Sequence, residues 1–378
     1  FSRAGHTPAS GRMERRWKKT WFPFFPLPKD YVSRNYGWAA NPFLETPMYP
    51  RQHYEAGCLK CHSNQMAVSE SDEITKATAM VELYGCHSCH KINTWRFSDL
   101  QKPGPTLDSI AEKTTPEWAF RWIANPQAFR STTRMPAFFY GRNMVGPAVS
   151  PEEREQNIRF QDAEIHSIVA FLFANSTSRQ WHGGAGGDAV RGKEIVSRVG
   201  CLACHADSET VTVDGKTRKA VRTDFPLERN FGFNFVGTGT KTHPGWLYNW
   251  VKNPKNYDPN APMPDLRLSD QEASDVTAYL MTLQKPEFMQ EPIRPANPAA
   301  VRGLAKGYLI NTMSTRDAEA RLDAMSMDEQ LVYLGQRSIE KYGCYSCHDL
   351  KGFETLKPIG TELTIEGSKN PHLFDFGF

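Results

Sequence analysis

Apolar positions along this chain recur at helical spacing in short stretches and never persist. Ile165, Ile168, Val169 and Leu172 form one stripe at the three- and four-residue steps of a helix, and Val276, Leu280 and Leu283 form another, with Ser269 or Asp270 placed to cap it. Ala77 to Gly85, Lys193 to Gly200 and Arg337 to Gly343 read as short helices that close on a glycine. The best uninterrupted apolar run, Ile168 to Ala174, falls far short of the roughly 18 to 20 residues that cross a bilayer. Two stretches lack this periodicity. Residues 1–50 join a basic run, Arg12 to Lys19, to an aromatic, proline-punctuated one, Trp21 to Pro28, and continue extended to Pro50. Residues 286–330 begin with Pro286, Pro292, Pro295 and Pro298 before turning helix-like, which reads as a linker.

At 378 residues the chain is too long for one compact core, so several modules are expected. A net charge of +3 and the absence of helix-turn-helix, RNP or finger spacing argue against nucleic acid as a partner. The informative count is eight cysteines, because of where they fall.

They form four pairs of one spacing: Cys58-x-x-Cys61-His62, Cys86-x-x-Cys89-His90, Cys201-x-x-Cys204-His205 and Cys344-x-x-Cys347-His348. In this pattern two thiols can form thioethers with porphyrin vinyl groups while the adjacent histidine reaches the iron, which is the attachment signature of c-type haem. A disulfide framework would not place His after every second Cys, and the distances between pairs suit no closed tetrahedral zinc site. The cofactor expectation is four covalently attached haem c groups with their iron.

The surroundings of two motifs repeat. Trp118-x-x-x-Trp122-x-x-Asn125-Pro126 recurs as Trp246-x-x-x-Trp250-x-x-Asn253-Pro254, and an equal step leads from each first Trp to Arg134-Met135-Pro136 and Pro262-Met263-Pro264. A methionine held in a proline-fixed loop beyond an aromatic helix suits the distal face of a His/Met haem. The four tryptophans are large apolar surfaces that exclude water from a porphyrin. Downstream, Asp162-Ala-Glu164 leads to Ala170-Phe171-Leu172 as Asp270-Gln-Glu272 leads to Ala278-Tyr279-Leu280, giving each unit a closing helix.

On these residues the chain resembles a multihaem c-type cytochrome built from class I cytochrome c modules, well over residues 71–285 and partly over 331–378. The resemblance implies an all-α fold of tandem haem-binding modules behind an extended N-terminal arm. Carried over by position, Cys86, Cys89, His90 and Met135 serve one haem, and Cys201, Cys204, His205 and Met263 the next. The expected division is an arm at 1–50, a two-haem region with the first module at 51–180, a second module at 188–285, the linker at 286–330 and an incomplete third module at 331–378. Gly141 to Gln161, an insertion relative to the second module, reads as a surface loop.

Two motifs depart from the pattern. Only 28 residues separate Cys58 from Cys86, so the first haem must share walls with its neighbour. Candidates for its sixth ligand are His53, then His87, then His166, with Met66 as the non-histidine option. The last motif is followed by Lys357-Pro-Ile-Gly360, echoing Lys102-Pro-Gly-Pro105, yet the chain stops at Phe378 without a Trp helix or a Met. Truncation is the favoured reading, ahead of an unusual ligand such as His372 or completion by another chain.

Six-coordinate iron leaves no position for substrate, so electron relay is the expected function and catalysis at the haems is not favoured. Because haem attachment requires export, the expected location is the periplasmic side of the cytoplasmic membrane. The expected partners are other subunits of a membrane electron-transport complex or redox proteins, with residues 12–28 suited to the membrane surface. The rivals are a multihaem enzyme of peroxidase or nitrite reductase type with one open haem, a free periplasmic shuttle, and a haem filament.

Overall fold

The computed structural model describes residues 55, 68, 71–92, 102–143, 150–221, 224, 232–357 and 359–364. The arm at 1–50, Cys58, Cys61, His62, His53, Met66 and His372 lie outside the described residues. The chain divides into two units, one of residues 1–101 with 360–378 and the other Lys102–Ile359.

In the first unit, helix α1 (Asp72–Tyr84) starts five residues before the expected Ala77, with Asp72 and Glu73 in its first turn, where the helix dipole favours acids. The Glu55 carboxylate accepts from the backbone N–H of Glu73 at 2.8 Å and of Ile74 at 3.1 Å, satisfying two orphan donors. Gly85, at φ 69°, ends the helix in the left-handed conformation and turns the chain into Cys86–Cys89.

The second unit is mostly helical. Helix α2 (Pro116–Ala124) is capped by Thr115 with Pro116 at its first position, and it buries Trp118, Ala119, Phe120 and Ile123. Helix α3 (Pro151–Ala174) corrects the expected surface loop over 141–161. Ser150 and Glu153 form a capping box around Pro151, so the helix begins there and not near Gln161. Arg142, from the turn before it, folds back to bond the Asp162 carboxylate, and its backbone N–H reaches Gln161 at 2.7 Å.

Helix α4 (Ala189–Arg198), capped by Asp188, precedes the third motif. A small antiparallel hairpin follows, β1 (Thr210–Val213) with β2 (Lys216–Lys219), an addition to the all-α expectation. Its turn, Asp214-Gly215, has both φ values positive, 51° and 73°, as a two-residue hairpin demands. Helices α5 (Pro244–Lys252) and α6 (Asp270–Thr282) complete this half around Trp246, Leu247, Val251, Val276 and Leu280.

The stretch read as a linker is packed structure. Helices α7 (Pro298–Leu309) and α8 (Thr315–Asp323) bury Val301, Leu309 and Leu322 with Leu334 and Ala163 in a core of their own. Each such leucine contributes about 1.5–3 kcal/mol relative to exposure. Helix α9 (Met327–Tyr342) leads into the fourth motif and lies against α3.

That pairing reorganises the expected modules. Residues 102–174 pack with 327–356, and Ile165, Ile168, Leu172, Ile339, Tyr345, Leu350 and Phe353 share one core. The physical reason lies in a helix crossing. At Gly335 of α9 a Cβ would stand 1.9 Å from the Ser167 carbonyl oxygen, and at Gly192 of α4 a Cβ would stand 2.0 Å from that of Asp275. Both glycines sit at the same step before their first motif cysteine, and α1 carries Ala77 at that step. A methyl group there is incompatible with so close a crossing.

Candidate haem sites

Each described motif is one tight turn entered through a left-handed glycine: Gly85 before Cys86, Gly200 before Cys201 and Gly343 before Cys344. None of their six cysteines is in a disulfide. Among the described residues no three His, Cys, Asp or Glu side chains converge to hold a bare metal ion.

The histidines are oriented alike. His205 Nδ1 bonds the Phe233 carbonyl at 2.7 Å, His348 Nδ1 that of Pro105 at 2.7 Å, and His90 Nδ1 that of Thr361 at 2.8 Å. A carbonyl only accepts, so each Nδ1 carries a proton and donates it, leaving the Nε2 lone pair for iron. Burial lowers the pKa of His205 and of His348, which favours the neutral ring a ligand must be. In every case the residue before the accepting carbonyl is glycine. Gly232, Gly104 and Gly360 donate their N–H groups to Cys204, Cys347 and Cys89 at 3.0, 2.9 and 2.7 Å. A Cβ on any of the three would come within 2.7 Å of the imidazole.

These clamps are exchanged relative to sequence order. The loop at Lys102 to Pro105, expected beside Cys86, serves His348; the loop ending at Gly360, expected beside Cys344, serves His90. Further bonds fix the first of these: Leu107 N–H to Asp349 O at 3.0 Å, Lys102 Nζ to His348 O at 3.1 Å, and Lys351 N–H to Asp108 at 2.7 Å. The fourth motif is therefore walled by upstream residues of its own chain. Met135, expected with Cys86, packs, as Cys344 does, against the core that includes Tyr345 and Leu350.

The two tryptophan helices superpose in detail. Trp118 and Trp122 stack with centroids 5.2 Å apart, and Trp246 and Trp250 with centroids 5.3 Å apart. Phe129 and Tyr257 meet the first indole of each pair edge-on. Trp122 Nε1 donates to Met135 Sδ at 2.9 Å, and Gln127 holds the Met135 carbonyl at 3.1 Å. A thioether sulfur has a second lone pair, so this bond leaves one for iron. Trp118 Nε1 and Trp246 Nε1 are buried with no acceptor among the described residues. Paired orphan donors of this kind fit a carboxylate brought by a cofactor, which is what haem propionates supply.

Other histidines have structural work. His166 Nε2 bonds the Arg294 carbonyl at 2.7 Å and its ring packs on Phe120. His243 caps α5 and bonds the Glu112 carbonyl at 2.8 Å. The clamp and crossing glycines escape motif reading; for the crossing pair the signal was their equal step before the first motif cysteine.

Residues 189–284 match the cytochrome c family model, and residues 42–91, which span the first two motifs, match that of cytochrome c554 and c-prime. No curated protein and no solved structure matches the chain. Helical haem-motif modules of this geometry define a haem-based electron-transfer protein. With the family matches, the chain is a c-type cytochrome, and covalently bound haem c with its iron is its cofactor. No helix among the described residues is long and apolar enough to cross a membrane.

Proposed function

We propose that the protein is a tetrahaem electron relay. Haem is carried at Cys58/Cys61 with His62, Cys86/Cys89 with His90, Cys201/Cys204 with His205, and Cys344/Cys347 with His348. The sixth ligand is Met263 for the third haem and Met135 for the fourth. Haem, when bound, would supply one-electron ferric/ferrous chemistry. The chain fixes the axial histidines by their carbonyl clamps, holds the methionines in proline loops, and keeps water off with the tryptophan pairs. The observation that carries this reading is the identical clamp at three motifs, each freeing Nε2 for iron. The relay works on the periplasmic side as a subunit of a membrane-associated complex; the basic and aromatic residues 12–28 support that role by their composition.

The test is the mass of the purified holoprotein and its haem peptides together with potentiometry of Met135→His. Four haem masses are expected. The substitution should lower one potential and weaken the near-infrared methionine-to-iron band, and it should have no further effect once Cys344 and Cys347 are replaced by Ser. Fewer haems would overturn the count, and a Met135→His effect that survives loss of the fourth haem would overturn that ligand. Carbon monoxide binding to the reduced native protein would move the reading to an enzyme with an open haem.

A further inference from the structure

Three cations occupy the seam between the halves of the second unit, and they are exchanged between them. Lys113 and Lys241 stand at the same step, each five residues before the first tryptophan of its own helix. Each reaches the other half. Lys113 Nζ lies 4.6 Å from the Trp246 ring centroid and 5.7 Å from that of Trp250; Lys241 Nζ lies 5.2 Å from that of Trp118. Arg130 crosses as well, donating to the Asn234 carbonyl at 2.9 Å with its guanidinium 5.0 Å from the Phe233 ring. Phe233 is the residue whose carbonyl clamps His205.

Among the described residues, acids oppose these charges only in part. Burial, then the nearby Arg130, pulls the Lys113 ammonium down to about 8 against a smaller opposing pull from Asp258. Burial, then Lys113 and Arg130, pulls Lys241 far below its ordinary value. Arg130, buried by exposed area as well, is lowered to about 10 by burial, with Glu209 the acid opposing it. Glu209 is already held by Lys285 Nζ at 2.6 Å. Arg130 Nε, Trp118 Nε1 and Trp246 Nε1 are buried donors without acceptors in the same seam. Clustered, desolvated cations are costly unless an anion joins them.

We propose that Lys113, Arg130 and Lys241, with the two indole N–H groups, form one shared clasp for the propionate carboxylates of the haems at Cys201/Cys204 and Cys344/Cys347. This rests on the relay reading, which puts haem at both motifs. A shared clasp couples the two sites. Each cation favours the ferrous state of both irons, because the added electron is stabilised by positive charge on either side of the seam. The chain thereby raises the two potentials together.

The test is potentiometry of full-length holoprotein carrying Lys113→Gln or Lys241→Gln, with each methionine-ligated haem followed by its own methionine methyl resonance and assigned through Met263→His. Each single substitution should lower both potentials. Lys113→Arg and Lys241→Arg should restore them, which separates lost charge from disturbed packing. Lys306→Gln, on α7 and paired with Glu319, should move neither. A shift confined to one haem, or no shift with both haems in place, would overturn the clasp. Wild-type Cys201 and Cys344 peptides lacking haem mass would overturn the relay reading itself and the clasp with it.

Discussion

His348 gives its Nδ1 proton to the carbonyl of Pro105, 2.7 Å away and 243 residues earlier in the chain. The bond closes the fourth-motif turn from the two ends of the second unit. Its geometry depends on Gly104, where a Cβ would stand 2.4 Å from His348 Cε1. Neither a backbone carbonyl nor a ligating ring can yield by that much without losing the clamp.

Gly104→Ala should therefore tilt the His348 ring or expel the loop, at about 1–3 kcal/mol. The expected readout is an altered low-spin spectrum for one haem and a lower thermal midpoint, with the haem at Cys201 unaffected. Gly352→Ala tests the other extreme, with φ 90° but no atom within 4 Å of its Cβ, and should cost only backbone strain. Equal spectra for wild type and Gly104→Ala would show that the clamp does not orient the ring.

The crossing of α9 over α3 makes a second prediction. Gly335→Ala puts a methyl group 1.9 Å from the Ser167 carbonyl oxygen and should destabilise the unit by about 1–3 kcal/mol in thermal or denaturant unfolding. Gly303→Ala, in α7 with open space around it, should be neutral or stabilising by up to about 1 kcal/mol. If both behave alike, the glycine is not what permits the crossing.

The repeats made the elements legible: the tryptophan helices, the closing helices and the three described haem turns fall close to where their spacing puts them. Their assembly was not legible by proximity. Four motifs of one spacing leave open which downstream loop serves which histidine, and reading in chain order joins Cys86 to residues 102–135. The deciding residues are Gly335 and Gly192 against Ala77, a difference of one methyl group. The insertion over 141–161 was misread for another reason, since its polar residues hid the Ser150-Pro151-Glu152-Glu153 helix start. Lys113 and Lys241 escaped notice because a lysine near a tryptophan is ordinarily solvated, and only the fold shows that each lies on the other's indole.

Acid stability should turn on Asp275. Its carboxylate accepts from Arg191 Nε at 2.9 Å, Arg191 Nη2 at 3.1 Å and the Asp188 N–H at 2.7 Å. The Arg191 bond, then the Asp188 N–H, holds its pKa well below the ordinary carboxylate range. A folded pKa below the unfolded one gives stability that is complete above about pH 4 and lost as pH falls through the folded value. Asp275→Asn should be less stable at neutral pH and show a flatter acid limb in unfolding followed from about pH 5 to pH 2. Parallel limbs for the two proteins would remove the carboxylate from the account.

Trp122 and Met135 supply the last prediction. The indole N–H bonds the thioether sulfur at 2.9 Å and draws electron density from it. A poorer donor sulfur stabilises ferric iron less, so on the proposed ligation the bond should raise the potential of the haem held by Met135. Trp122→Phe keeps a ring in the stack with Trp118 and removes the N–H, so it should lower that potential while leaving haem content and the second methionine-ligated haem unchanged. The near-infrared methionine band should persist, shifted, because the sulfur remains bound. Loss of the band would mean that the bond positions Met135 and does not merely tune it, and an unchanged potential would show that the sulfur facing Trp122 is not the one facing iron.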